Sequence, residues 1–159
     1  MTLSGIDIRE VAWDHPDAAR LRAAQEAEIR DRYQVDEPEP GIHPSAADMT
    51  SFFVAYVEDE PSACGGLRAL DDEHGEIKRM YVVPERRGSG LATAVLGALE
   101  SDARARGWTR LVLETGTSQP DAVRFYEREG YHPIPLFGHY IGEATSLCFE
   151  KPLPSVSAG

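Results

Sequence analysis

Hydrophobic and polar residues follow two periods along this chain, and these periods separate its strands from its helices. At 6–11 they alternate, as in a strand with one buried face, whereas from 91 to 103 apolar residues recur every three or four positions, as in a helix. Alternation, β-prone composition and the intervening turn residues together predict strands at 6–11, 51–58, 63–70, 76–83, 108–115, from 131 onward and at 146–151. The sequence also predicts helices from Pro16 to about 31, from 91 to a stop at Gly107 and at 121–129, with one short helical turn at 46–49. The three strands between 51 and 83 are predicted to form an antiparallel meander, and Gly65-Gly66 indicates a bulge or the close approach of another backbone.

The junction between the strand at 76–83 and the next helix has the composition of an anion-binding turn. Pro84 ends the strand, two arginines follow, and Gly88-Ser89-Gly90 leads directly into the helix. Glycine leaves no Cβ between the backbone and a ligand, and the first N–H groups of a helix are free beside the positive end of its dipole. With Arg86 and Arg87 adding charge, these N–H groups could surround a pyrophosphate. The alternative is a tight turn with two solvated arginines.

Two segments resemble the GNAT superfamily of N-acyltransferases. The first, Arg87-x-x-Gly90-x-Ala92 after Val82-Val83-Pro84, is similar to that family's acyl-CoA-binding pattern Gln/Arg-x-x-Gly-x-Gly/Ala. The second, LVLETGTSQPDAVRFYEREGY at 111–131, is similar to the family's next strand, loop and helix. A phosphate loop with Gly-Lys-Ser/Thr and a dinucleotide turn with a third glycine do not fit this sequence. The resemblance implies an α/β (α+β) fold with a mixed, centrally splayed β-sheet of about seven strands and helices on both faces, and acetyl-CoA as co-substrate.

The resemblance also implies which residues hold the cofactor. The pantetheine arm would pair with the backbone of Met80, Tyr81 and Val82, one of whose N–H groups would hold the thioester oxygen. The phosphates would lie at the turn, on Arg87, Gly88, Ser89, Gly90, Leu91, Ala92 and Thr93. Gln119 stands where many relatives carry an asparagine that hydrogen-bonds the pantetheine, so this contact departs from the family pattern.

Two residues are predicted to move protons. Tyr126 falls at the position of the family's general-acid tyrosine, where it would contact the cofactor and protonate the CoA thiolate; the alternative is a tyrosine that packs with its polar tip at the surface. Glu76 stands where some relatives carry a catalytic glutamate that acts as the base. It could instead pair with Lys78 in solvent, leaving Glu114 or a chain of waters as the base.

Composition narrows the choice of partners. There are 16 lysines and arginines against 27 aspartates and glutamates, a net charge of −11, which disfavours nucleic acid and anionic membranes and favours a cationic partner. The loop predicted at 33–44 is acidic at 36–39, and is either a solvated connector or a wall of the acceptor site. The 5 histidines lack metal-ligand spacing, so no metal is predicted. Cys64 and Cys148 are predicted to be small buried hydrophobes in a reducing compartment.

A single domain is predicted at 1–152, followed by a frayed tail at 153–159. An export signal and a run of about 18 apolar residues are both missing from the sequence, which predicts a cytoplasmic protein. The predicted reaction is direct N-acetylation of a primary amine by acetyl-CoA, with a small-molecule acceptor whose identity stays open. The alternatives are an inactive CoA-binding sensor, a nucleotide-phosphate binder, and an acetyltransferase for peptide N-termini or protein lysines. Many relatives form dimers, which leaves a homodimer open.

Overall fold

A computed structural model describes residues 5–33, 45–117 and 119–154. Its strands are β1 (Ile6–Glu10), β2 (Ser51–Val57), β3 (Glu60–Ala69), β4 (His74–Val82), β5 (Arg110–Gly116), β6 (His132–Ile134) and β7 (Ser146–Pro152). Its helices are α1 (Pro16–Tyr33), α2 (Leu91–Ala105) and α3 (Pro120–Arg128), with 3-10 turns at Pro84–Arg86 and Gly138–Tyr140. These seven strands and three helices follow the predicted order, which confirms the fold class.

The short helical turn predicted at 46–49 is a single hydrogen-bonded turn that does not extend into a helix. The Ser45 carbonyl accepts the N–H groups of Asp48 and Met49, at 3.0 and 3.1 Å. Thr50 then donates its N–H to the Leu67 carbonyl at 2.8 Å, so the chain joins the sheet at once. The acidic segment predicted at 36–39, and most of the predicted tail, lie outside the described residues.

The sheet is mixed and opens at its centre. Its strand order is β1-β2-β3-β4-β5-β7-β6, and β4 and β5 are its parallel pair. These two strands are paired only from His74 to Ile77 on β4 and from Arg110 to Leu113 on β5. Beyond Ile77 the last residues of β4 have no register with β5, which confirms the central splay.

Strand β4 contains a bulge opposite Gly65. The register between β3 and β4 shifts at this glycine, and Arg79 has φ +61°, in the left-handed region that residues with a Cβ seldom adopt. The shift confirms the predicted bulge. A Cβ on Gly65 would lie 2.6 Å from Met80 Sδ, so the group that approaches this glycine is a side chain, and the alternative of another backbone is wrong. The extra residue lets the Arg79 side chain reach Glu26 on α1, while Met80 packs against the larger core on the opposite face.

The core has two parts, one on each face of the sheet. Helices α2 and α3 cover the larger part, where the predicted stripe of α2 is buried, and α1 covers the smaller one. Both free cysteines are buried, as predicted. Leu153 is 3% exposed and its N–H donates to the Thr109 carbonyl at 2.8 Å, so the chain remains packed one residue past β7. In the described parts of the chain, every helix is too short or too polar to cross a bilayer.

Candidate active site

The backbone at the end of β4 faces the gap that β5 leaves. Val83 donates its N–H to the Ser62 carbonyl of the β3 side at 3.0 Å. Because backbone groups of successive strand residues point to opposite sides, Tyr81 also faces β3, whereas Met80 and Val82 face the opening. The strand predicted to pair with the pantetheine therefore directs the N–H and C=O groups of Met80 and Val82 toward the gap.

Both carbonyls on this open edge are bonded by side chains. The Gln25 amide of α1 donates from Nε2 to the Met80 carbonyl at 2.9 Å. The Arg87 guanidinium donates from Nε to the Val82 carbonyl at 3.0 Å. The open end of β4 is thus held by α1 and by the turn that follows the strand, in place of a neighbouring strand.

The glycine turn adopts a backbone shape that requires glycine. Gly88 and Gly90 have φ of +79° and +87°, and Gly90 is the residue that precedes α2. The Ser89 hydroxyl donates to the Arg86 carbonyl, which closes the turn on itself. The predicted strand, turn and helix are all present at the predicted positions.

The start of α2 offers backbone donors to an anion. The first bond within the helix runs from the Ala94 N–H to the Gly90 carbonyl at 3.1 Å, so the N–H groups of Leu91, Ala92 and Thr93 precede it. The first turn contains no acidic residue. The positive end of the dipole of a 15-residue helix therefore lies beside the glycine turn and favours negative charge there.

The predicted phosphate contact Arg87 is already paired with a carboxylate. Its Nη2 lies 2.8 and 3.0 Å from the two carboxylate oxygens of Glu28 on α1, and its guanidinium lies over the Tyr81 ring at 5.6 Å. Sequence reasoning missed Glu28 because no local signal links a residue of α1 to a turn 59 positions later. Because Glu28 already occupies the Arg87 guanidinium, the backbone N–H groups of the turn are the better candidates to bind an anion.

Tyr126 is buried with its hydroxyl protonated. Its side chain is 7% exposed and its ring meets those of Phe125 and Tyr131 edge to face, with centroids 5.1 and 5.7 Å away. Burial raises the pKa of Tyr126 above its ordinary value. Within residues 5–33, 45–117 and 119–154, its hydroxyl makes no hydrogen bond. The Tyr126 hydroxyl is therefore neutral at physiological pH.

A buried polar network holds the neighbouring tyrosine in place. Tyr131 donates its hydroxyl hydrogen to Glu100 Oε2 on α2 at 2.8 Å, and Lys151 Nζ lies 3.1 Å from the same oxygen. Lys151 also donates to the Glu129 carbonyl at the end of α3, at 3.0 Å. These bonds connect α2, α3 and β7, so they fix the ring against which Tyr126 packs.

Glu76 lies at the centre of a second buried network. Its side chain is 0% exposed, its Oε1 accepts from Arg68 Nη2 at 3.0 Å, and its Oε2 accepts from the Tyr140 hydroxyl at 2.7 Å. Lys78 Nζ donates to the Tyr140 oxygen at 2.8 Å and lies 3.8 Å from Glu76. The prediction that Glu76 and Lys78 share a face is correct, but a pair in solvent is wrong, because the segment that contains Tyr140 covers them.

The other predicted residues lie around this opening. Glu114, near the end of β5, accepts the Ser146 hydroxyl at 2.6 Å. Charges on Glu114 and Glu76 both act on Cys148, whose pKa is raised chiefly by burial, which places the two carboxylates near the same thiol. Gln119 precedes α3 and makes no capping bond with its side chain. In the part of the chain that the structure describes, no three metal-ligating side chains come together.

A mixed sheet that opens beyond its parallel pair, with a glycine turn at the start of the next helix, defines the class of acyl-CoA N-acyltransferase folds. The model of the acetyltransferase (GNAT) family matches residues 9–131, and the chain belongs to that family. It is 38% identical over 104 residues to IAA acetyltransferase of Azospirillum brasilense, an alignment that covers 64% of this chain and 67% of that protein.

Solved structures agree with this assignment. A crystal structure from Klebsiella pneumoniae, described as an acyl-CoA N-acyltransferase, is 30% identical, has a TM-score of 0.79, and is matched over 93% of this chain and 97% of that one. A GNAT family acetyltransferase from Elizabethkingia anophelis, solved with acetyl-CoA bound, has a TM-score of 0.70 at 19% identity, with 94% and 99% of the two chains covered. The second likeness shows the shared fold.

Proposed function

We propose that this enzyme transfers the acetyl group of acetyl-CoA directly to a primary amine of a small molecule. The observation that carries the proposal is the opening beyond Ile77, which is bordered by the outward-facing backbone of Met80 and Val82 on β4 and by the start of α2. The pyrophosphate would lie on the N–H groups of the glycine turn. The pantetheine arm would follow Met80, Tyr81 and Val82 into the sheet.

The Met80 N–H is the donor that we assign to the thioester oxygen. This N–H faces the opening beside the bulge. A preorganised backbone N–H stabilises the negative charge that forms on the carbonyl oxygen as the amine attacks. The C–S bond then breaks and the thiolate takes the proton of Tyr126. The Tyr126 hydroxyl is neutral before the step, as a general acid must be.

The amine must lose a proton, and we assign the final proton acceptor to Glu76. Both of its oxygens are bonded to side chains, so an amine would reach it through the Tyr140 hydroxyl, which donates to Glu76 Oε2 at 2.7 Å. Tyr140 would pass its own proton to Glu76 while it takes one from the amine. Glu114 is the alternative base, and its described partner is the Ser146 hydroxyl.

The acceptor that we propose is a cationic amine, on the basis of the net charge of −11. The described cluster supports an amine of small size, because Arg68, Lys78 and Tyr140 fill much of the space around Glu76. The two buried free thiols fit a reducing compartment such as the cytoplasm.

The proposal is tested by measuring the binding of acetyl-CoA, CoA and ATP in parallel, followed by a screen of an amine library for release of CoA. We expect binding of both CoA species, little binding of ATP, and turnover with at least one amine. Binding of CoA without turnover across the library would favour the inactive sensor. Preference for ATP would refute the assignment of the turn.

A further inference from the structure

The bulge of β4 lies where the sheet gives it the least support. Pairing with β5 ends at Ile77, and the register with β3 shifts at Gly65. Arg79 within the bulge has φ +61°, a conformation that persists only where the surrounding contacts impose it. The orientation of the following Met80 N–H therefore depends on contacts from outside the sheet.

Two consecutive residues of α1 supply such contacts. Gln25 Nε2 donates to the Met80 carbonyl at 2.9 Å, on the side of the opening. Glu26 Oε2 lies 2.9 Å from Arg79 Nη1, and the Arg79 side chain is only 5% exposed. Gln25 thus holds the backbone at Met80, just after the bulge, and Glu26 holds the side chain of Arg79 within the bulge.

The helix that carries these two residues is itself fixed to the sheet. Tyr56 on β2 donates its hydroxyl hydrogen to Asp17 in the first turn of α1 at 2.7 Å. Ala18 and Leu21 are buried in the smaller core with Tyr81 of β4. Helix α1 can therefore act as a rigid support for the end of β4.

We propose that Gln25 and Glu26 are positioning residues that hold the β4 bulge and so aim the Met80 N–H at the thioester oxygen. This inference rests on the proposed function. A displacement of about 1 Å at a reacting centre costs on the order of 100-fold in rate. Loss of either contact should therefore lower kcat more than it lowers the affinity for CoA, which lies mostly on the turn and on the rest of the strand.

The first test is kinetic. Gln25→Met removes the donor at similar length, Glu26→Ala removes the carboxylate, and Glu26→Gln keeps an acceptor for Arg79. We expect kcat to fall at least tenfold in Gln25→Met and in Glu26→Ala, to recover partly in Glu26→Gln, and the Kd of CoA to stay within about twofold. The control is Asp31→Ala, which removes an exposed carboxylate of the same helix and should leave kcat unchanged.

The second test needs no acceptor. Acetyl-CoA labelled with carbon-13 at the carbonyl reports the hydrogen bond on that oxygen through its infrared stretching frequency. The frequency should be lowered on the native enzyme and should return toward the solution value in Gln25→Met and Glu26→Ala.

Three outcomes would overturn the inference. Folded variants with unchanged kcat and carbonyl frequency would show that α1 does not position the donor. A loss of kcat matched by an equal loss of CoA affinity would show a general loosening of the sheet. Failure of the native enzyme to bind acetyl-CoA would refute the proposed function, and this inference with it.

Discussion

Two neighbouring tyrosines should respond in opposite ways to removal of the hydroxyl. The rings of Tyr126 and Tyr131 lie 5.7 Å apart in one core, and both are buried. Tyr131 donates to Glu100, whereas in the described residues Tyr126 has no hydrogen-bond partner. Tyr126→Phe and Tyr131→Phe are therefore a matched pair in which the hydroxyl of one is proposed to act in catalysis and that of the other in stability.

The structure sets the expected magnitudes. Tyr126→Phe breaks no described bond, so the free energy of unfolding should change by no more than about 0.5 kcal/mol. Loss of a general acid should lower kcat by about 10²-fold, which is about 2.7 kcal/mol of activation free energy. Tyr131→Phe leaves a largely buried carboxylate without one donor and should cost about 1 to 3 kcal/mol of stability, with a much smaller change in kcat.

The assay is the initial rate of CoA release at saturating acetyl-CoA, with an acceptor slow enough for chemistry to limit turnover. Thermal unfolding and the Kd of CoA are measured for both variants. Because burial raises the pKa of Tyr126, the hydroxyl stays protonated through neutral and mildly alkaline pH. The rate should therefore rise with pH as the amine loses its proton, without a fall from Tyr126 ionisation in that range.

Native turnover in Tyr126→Phe would show that the thiolate takes its proton from another group. Equal losses of kcat and stability in both variants would show that the two hydroxyls act through packing alone. Either result would refute the assignment of Tyr126 as the general acid, while the family assignment would stand.

Three further predictions concern the cofactor, the base and the acceptor. Gly90→Val should raise the Kd of acetyl-CoA at least tenfold, about 1.4 kcal/mol, because a side chain at φ +87° both strains the turn and obstructs the pyrophosphate; native affinity in a folded variant would contradict the anion site. Because alkaline pH supplies the amine already neutral, Glu76→Gln should lower kcat strongly near neutral pH and less at alkaline pH, whereas Glu114→Gln should leave kcat unchanged at both; the reverse pattern would make Glu114 the base. For a cationic acceptor, Asp36→Asn with Glu37→Gln should lower kcat/KM at low ionic strength and have little effect in high salt, since the Debye length is about 8 Å at 0.15 M; equal values in all four conditions would leave 36–39 as a solvated connector.

Local sequence patterns were sufficient to predict most of the fold and the position of the glycine turn. Alternation marks β1 and helical periodicity marks α2, because burial of one face imposes its period on the sequence. The central strands are buried on both faces, and β-prone composition between turn residues placed them. Gly88 and Gly90 were identifiable for a similar reason: a left-handed backbone at a strand-to-helix turn requires glycine at those positions, and the next helix begins immediately after them.

Only the tertiary structure decided what covers each face and which charges meet. The period of β4 puts Glu76 and Lys78 on one face, but the burial of both comes from Tyr140, 64 positions after Glu76. Likewise, Glu28 meets Arg87 across 59 positions, and Gln25 meets Met80 across 55. Hydrogen bonds and ion pairs form only within about 3 to 4 Å. Residues this far apart in the sequence come that close only when their helices and strands pack together, so local sequence does not predict these pairs. The sequence therefore located the glycine turn, and the packing of α1 and of the Tyr140 segment against β4 determined the polar surroundings of the proposed reaction.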